Sequence, residues 1–264
     1  MEMEDNENRV VHLLGVRIHS LTKADFFQEL LHLLQAQPRR VVANVNLRAM
    51  NLAYENAWFR DFLNLADLVF CDGEGVRLGA RLNGQTILER FTPADWVWEF
   101  ARIAEDKGVT WFLLGNPPGV AERAADRLVQ TYPNLKIVGT HHGHFDLRRE
   151  SAENSSVLGI INHLKPDILF VGMGMPTQER WILENLSKLE CRMVITCGAL
   201  FEYVAGDLKR GPAWMTQHSM EWLARVMISP KRYLQRYVAD IPKFYWRVLE
   251  AKVINQLRKF TKDR

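Results

Sequence analysis

The chain has 264 residues, 47% hydrophobic and 25% charged, with a formal net charge of +3; it is long enough to bury a full core without cross-links and reads as a soluble protein of enzyme size. Its three cysteines, Cys71, Cys191 and Cys197, are odd in number and lie in or beside strand-like runs, which argues against a disulfide framework or a CxxC metal site and fits a reducing cytoplasm. The opening "MEMEDNENRV" is acidic where a signal peptide is basic and then apolar, and no apolar run approaches the roughly 18 residues of a membrane span.

Taken in order, "RRVVANVN" (39–46) predicts a strand, followed by a helix over 47–66. Further strands are expected at 67–73, 109–116, 134–143, 166–174 and 191–201, with helices near 94–107, 118–131, 151–164 and 177–189. This alternation predicts an α/β fold: a mostly parallel, Rossmann-like sheet covered by helices, with ligands beyond the C-terminal ends of its strands. The charge then changes sign. From 207 to 264 there are 13 Lys and Arg against 5 Asp and Glu, a net +8 that leaves −5 for 1–206, and eight aromatic residues lie among those cations. We therefore divide the chain into a catalytic body, 1–206, and a basic, aromatic, helical C-terminal appendage, 207–264.

Four predicted strand ends carry small or polar residues: Asn44 and Asn46, then Asp72, then Gly115-Asn116, then "GMGMPTQE" (172–179). One such end is an ordinary turn, but four in one sheet point to a site. Asp72 is either a turn residue bonded to its own backbone or a general base. "GNPPGVAERAADRL" (115–128) fits an anion cradle at a helix start or a plain strand-to-helix turn, and it is neither GxGxxG nor a P-loop. His141, His142 and His144 lack accompanying ligands for zinc; a polar loop or a sugar or pyrophosphate contact accounts for them better. Glu74 joins Asp72 in "DGE", as a metal-binding acid pair or as a solvent-facing turn residue.

Several motifs in one order carry a resemblance: "DGEGV" (72–76), "ERFTPAD" (89–95), "FLLGNPPGVAERAADRLVQTYPNLKIVGTHHGHF", "KPDILFVGMGMPTQERWI" and "GALFEYVAGDLKRGPAWMTQHSMEWLARVMISPKRYLQRY". Together they resemble the WecG/TagA/CpsF glycosyltransferase family from about residue 12 to 248. The resemblance implies a bacterial inverting enzyme at the inner face of the cytoplasmic membrane. Such an enzyme moves a sugar from a UDP-sugar to a polyprenyl-diphosphate-linked sugar during assembly of teichoic acid, common antigen or exopolysaccharide. N-acetylmannosamine, its uronic acid and glucose all fit as the transferred sugar. By the same resemblance Asp72 matches the proposed catalytic base, Arg90, Thr92 and Asp95 match an R-x-T-G-x-D motif, and Gln178-Glu179 match a P-x-Q-E element beside the nucleotide-sugar pocket. Two departures stand out: Asn44-Val45-Asn46 replaces T-x-N, and Pro93 replaces glycine.

No DxD metal motif is evident, so the leaving diphosphate is expected to be stabilised without a metal or cofactor, by helix N-termini and basic residues. Arg210, Arg225, Arg232 and Arg236 are the candidates from the appendage, whose aromatic and basic side chains suit an anionic membrane surface. The alternatives are a helical subdomain packed on the body, or a non-catalytic nucleic-acid-binding module; nucleic acid is not the expected partner. A nucleotide-dependent oxidoreductase would need a glycine fingerprint at the first strand, which "VVANVNLRAM" lacks. The sequence is also compatible with a homo-oligomer.

Overall fold

The computed structural model describes residues 10–36, 38–209, 211, 223, 226–227 and 230–262; within the last segment side chains are described from 237 on, except at 255 and 258–262. In chain order the elements are β1 (Val10–Leu13), β2 (Val16–His19), α1 (Lys23–Gln35), β3 (Arg40–Val45), α2 (Leu47–Glu55), α3 (Ala57–Leu65), β4 (Leu68–Cys71), α4 (Glu74–Leu82) and α5 (Pro93–Lys107). They continue with β5 (Thr110–Gly115), α6 (Val120–Thr131), β6 (Lys136–His141), α7 (Ala152–Leu164), β7 (Ile168–Gly172), α8 (Thr177–Asn185), β8 (Met193–Thr196), α9 (Leu200–Ala205) and α10 (Pro230–Lys262).

Six strands form one parallel sheet in the order β4-β3-β8-β7-β5-β6, as the βα alternation predicts. The central strands are mostly apolar because helices cover both faces, and successive residues feed opposite cores. Phe112, Leu114, Leu169 and Val171 enter one core, with α2, α3, α4 and α8; Trp111, Leu113, Ile168 and Phe170 enter the other, with α1, α5, α6 and α9. All strands therefore end at the same edge of the sheet, and that edge carries the site.

The structure departs from the predicted elements in four places. An antiparallel hairpin, β1–β2, and helix α1 precede the first predicted strand. The hairpin turns on Leu14 and Gly15, both at positive φ, the geometry of a tight two-residue turn, and α1 opens on a Thr22–Asp25 capping box. The predicted helix 47–66 breaks at Asn56, which is extended (φ −129°, ψ 111°) and whose Nδ2 donates to the Leu52 carbonyl at 3.1 Å; that side chain competes with the helical ladder. The predicted strand 191–201 stops at Thr196 and turns into α9. Finally, the "DGE" turn is a helix start, with Gly73 as N-cap of α4 in ordinary extended geometry (φ −160°). Gly75 is needed for packing: a Cβ there would stand 2.9 Å from Leu47.

Helix α10 lies along α2 and α4. Phe244 and Val248 are fully buried, and a Cβ on Gly79 would meet the Phe244 ring at 2.5 Å. Asp240 accepts from Asn51 Nδ2 at 2.8 Å through its carbonyl, while Arg247 donates to Asn51 Oδ1 at 2.8 Å and Glu55 Oε1 at 2.7 Å. Position thus increases along both helices together. They run parallel, and the turns of α10 upstream of Asp240 head toward the end of α2 where Asn46 sits. Among the described residues no helix is long and apolar enough to cross a membrane.

Candidate active site at the strand ends

A cleft of about 610 Å³ opens beyond the C-terminal strand ends, within the usual size for a small-molecule site. It brings together Asn44, Asn46, Asp72, Thr92, Asn116 and His144 of the residues the sequence singles out, with 172–175 and Thr177 of "GMGMPTQE". Asp72 follows β4, where its N–H donates to the Val45 carbonyl at 2.8 Å. Its Oδ2 accepts from Asn44 Nδ2 at 3.1 Å, which orients the carboxylate across two neighbouring strands. Asn46 caps α2, its Oδ1 accepting from the Arg48 and Ala49 N–H groups at 3.1 and 3.2 Å. The amide that replaces the expected threonine at 44 therefore works on the carboxylate, and the amide at 46 works on a helix end.

Two buried polar atoms on the cleft wall, Thr92 Oγ1 and Asn116 Oδ1, have no hydrogen-bond partner among the described residues. Buried polar groups are nearly always satisfied, so both are suited to meet a ligand. Helices α5 and α8 start at the cleft through Thr92-Pro93-Ala94 and Thr177, and neither carries a side-chain cap. Their first N–H groups and dipoles present partial positive charge to it. Pro93 occupies the first turn of α5, where no N–H is required by the helix, which accounts physically for proline at that place. Among the described residues no Lys or Arg lines the cleft, whereas two carboxylates, Asp72 and Glu202, do.

The other predicted residues lie elsewhere. Gly115 is behind the wall at φ +144°, where a Cβ would stand 2.3 Å from the Gly172 carbonyl; its role is close strand packing. Arg90 is half-buried and Asp95 exposed, and neither lines the cleft. Gln178 and Glu179 are buried beneath it: Gln178 Nε2 donates to Glu179 Oε1 at 2.8 Å, and its Oε1 accepts from Gly198 N–H at 3.1 Å, bracing the Gly198 loop that forms the cleft floor. Arg210 and Arg225 lie outside the described residues; Arg232 and Arg236 fall in the first turns of α10, where only the backbone is described. Glu74 pairs with Arg77 at 2.9 Å. His144 lines the cleft, and among the described residues no three His, Cys, Asp or Glu side chains converge as a metal site. Sequence reasoning missed Glu202 and Tyr203, which line the cleft; reading 191–201 as one strand hid the helix that carries both.

The family model described as "Glycosyl transferase WecG/TagA/CpsF family" matches residues 11–258. The chain belongs to that family. Among its relatives are enzymes named N-acetylglucosaminyldiphosphoundecaprenol N-acetyl-beta-D-mannosaminyltransferase from Staphylococcus aureus strains MRSA252 and NCTC 8325 / PS 47. Each is 29% identical over 255 residues, which cover 96% of this chain and 97% of the relative. Membership of this glycosyltransferase family gives the strand-end carboxylate a chemical context and sets aside the oxidoreductase reading and that of a non-catalytic module.

Burial pushes the Glu179 carboxyl up from its ordinary value to about 7, against the lowering effect of the Gln178 hydrogen bond. An unfolded chain releases this proton near 4.5, so between that pH and about 7 the folded state holds a proton that the unfolded state has lost. The Glu179 contribution to stability is full below the lower value and is lost as pH rises through the upper one, by on the order of 3 kcal/mol. Glu179→Gln removes the titration. We expect the melting temperatures of wild type and variant, followed from pH 5 to 8, to diverge by about 5–10 °C in the variant's favour toward the alkaline end. Parallel curves would show that Glu179 does not titrate there.

Proposed function

We propose that this protein transfers an N-acetylmannosaminyl unit from a UDP-sugar to a polyprenyl-diphosphate-linked N-acetylglucosamine, with inversion at the anomeric carbon. The observation that carries the reading is the Asp72 carboxylate, oriented by Asn44 at the strand-end cleft. It gains weight from relatives, named as N-acetylmannosaminyltransferases of N-acetylglucosaminyldiphosphoundecaprenol, that align with 96% of the chain.

In this mechanism Asp72 removes the proton from an acceptor hydroxyl as its oxygen attacks the anomeric carbon on the face opposite the nucleotide. One base suffices for such an inverting displacement. The bond to the UDP oxygen breaks, and the diphosphate leaves with its negative charge facing the starts of α5 and α8. Thr92 offers the sugar or the diphosphate a hydroxyl, and the Asn116 amide oxygen can accept from a hydroxyl or N–H of the sugar. Cations would come from the appendage: residues 236 and 232 lie about one and two turns of α10 upstream of Asp240, toward the cleft end of α2. Arg236 and Arg232, with Arg210 and Arg225, are thus our candidates for neutralising a diphosphate.

The test is a product assay of purified full-length protein with a panel of UDP-sugars and a short-chain lipid-linked acceptor, with the new linkage read by NMR. We expect UDP-N-acetylmannosamine to be used and the anomeric configuration to invert; retention would remove the single-base mechanism. Because the described cleft carries helix starts rather than a convergent ligand set, EDTA should leave the rate within about twofold. Activity lost to chelator and restored by Mn²⁺ or Mg²⁺ would instead assign the diphosphate to a metal ion.

A further inference from the structure

Thr196 ends β8 fully buried, and its hydroxyl is committed twice to one residue. Oγ1 accepts the Asn44 backbone N–H at 3.0 Å and donates to Asn44 Oδ1 at 2.7 Å. The first contact uses a lone pair, so the hydroxyl's only proton remains for the amide oxygen. Asn44 is thereby held with its oxygen toward β8 and its NH2 toward β4, where Nδ2 meets Asp72 Oδ2 at 3.1 Å. Without that hydroxyl the Asp72 contact alone orients the amide, and the buried Asn44 oxygen loses the donor that locks it toward β8. Flipped, it would set a carbonyl oxygen against a carboxylate oxygen, a repulsive contact in a site that is 3% exposed at Asn44.

We propose that Thr196 is a positioning residue for sugar transfer, acting through the polarity of the Asn44 amide to fix the rotamer of the Asp72 carboxylate. The inference rests on the reading of Asp72 as the base. It makes the hydroxyl matter and the methyl group dispensable. A residue that only fills space would give the opposite result.

The experiment measures kcat and KM for donor and acceptor in wild type, Thr196→Val, Thr196→Ser, Asn44→Ala and the Thr196→Val/Asn44→Ala double variant, with Asp72→Asn as reference. Valine should lower kcat by about 10- to 100-fold while each KM stays within about threefold, the pattern of a displaced catalytic group rather than a lost binding contact. Serine should restore the wild-type rate. The double variant should be no slower than Asn44→Ala alone, because both changes break one chain of contacts. Thr196→Ala takes the place of valine if thermal melts show the valine variant unfolded. A valine or alanine variant with wild-type kcat, a serine variant as slow as valine, or losses that multiply in the double variant would each overturn the assignment of Thr196 alone. Asp72→Asn at the wild-type rate would overturn the functional reading and this inference together.

Discussion

Replacing Asp72 by Asn should lower turnover by about 10²–10⁴ while leaving donor affinity nearly unchanged, because the variant keeps the shape of the side chain and loses only its capacity to take a proton. The geometry makes this a clean comparison. An amide oxygen at position 72 can still accept from Asn44 Nδ2, which now sits 3.1 Å from Asp72 Oδ2, and the backbone hydrogen bond to Val45 is untouched. Steady-state kinetics with UDP-N-acetylmannosamine and a lipid-linked acceptor, together with calorimetric titration of UDP, separate the two effects. A variant within a fewfold of wild-type turnover removes Asp72 from the role of base. A variant that loses UDP binding in step with turnover makes it a donor ligand.

The sheet was legible because parallel strands buried on both faces leave long apolar runs, and because glycine, asparagine and aspartate mark where such runs end. Asp72, Asn44 and Asn116 were found for that reason. The hairpin was missed because its strands are four residues long and turn on Leu14-Gly15, a pair without the asparagine or aspartate that usually announces such a turn. Gln178 and Glu179 carry polar side chains at a strand-to-helix junction and so read as ligand contacts. Only the fold shows that they brace Gly198 from beneath. Thr196 gave no local signal, since threonine at the end of "MVIT" suits a strand equally well whether its hydroxyl packs or positions. The +8 of the last 58 residues was visible in the sequence. That one face of α10 is sealed onto α2 and α4 was not, because the anchors Phe244 and Val248 are drawn from the same aromatic and aliphatic types as the exposed residues beside them.

The opposite face of α10 carries the second large expected effect. Trp246, Leu249, Val253 and Leu257, spaced three, four and four residues apart, form one stripe along the helix, and all four are exposed, Trp246 to 71%. An exposed apolar stripe on a helix rich in Lys and Arg has the make-up of a segment lying in the headgroup region of a bilayer. The proposed acceptor is held in the bilayer by its polyprenyl chain, and an enzyme that used it would work at that surface. Changing Trp246, Leu249 and Val253 to Ser leaves Phe244, Val248 and the Arg247 contacts in place. Removing everything from residue 207 onward would uncover the Gly79 face and confuse docking with unfolding. With about 1 kcal/mol lost for each partly inserted side chain, the triple variant should bind anionic vesicles about 100-fold more weakly. Transfer to acceptor embedded in those vesicles should fall with it, while transfer to a short-chain acceptor in solution persists. Wild-type binding should also weaken as salt rises, since the basic side chains act through a screened field. Sedimentation with vesicles decides the matter: a triple variant that still binds like wild type assigns the stripe to something other than the membrane, and one that loses transfer equally on both acceptors shows that the change reached the active site instead.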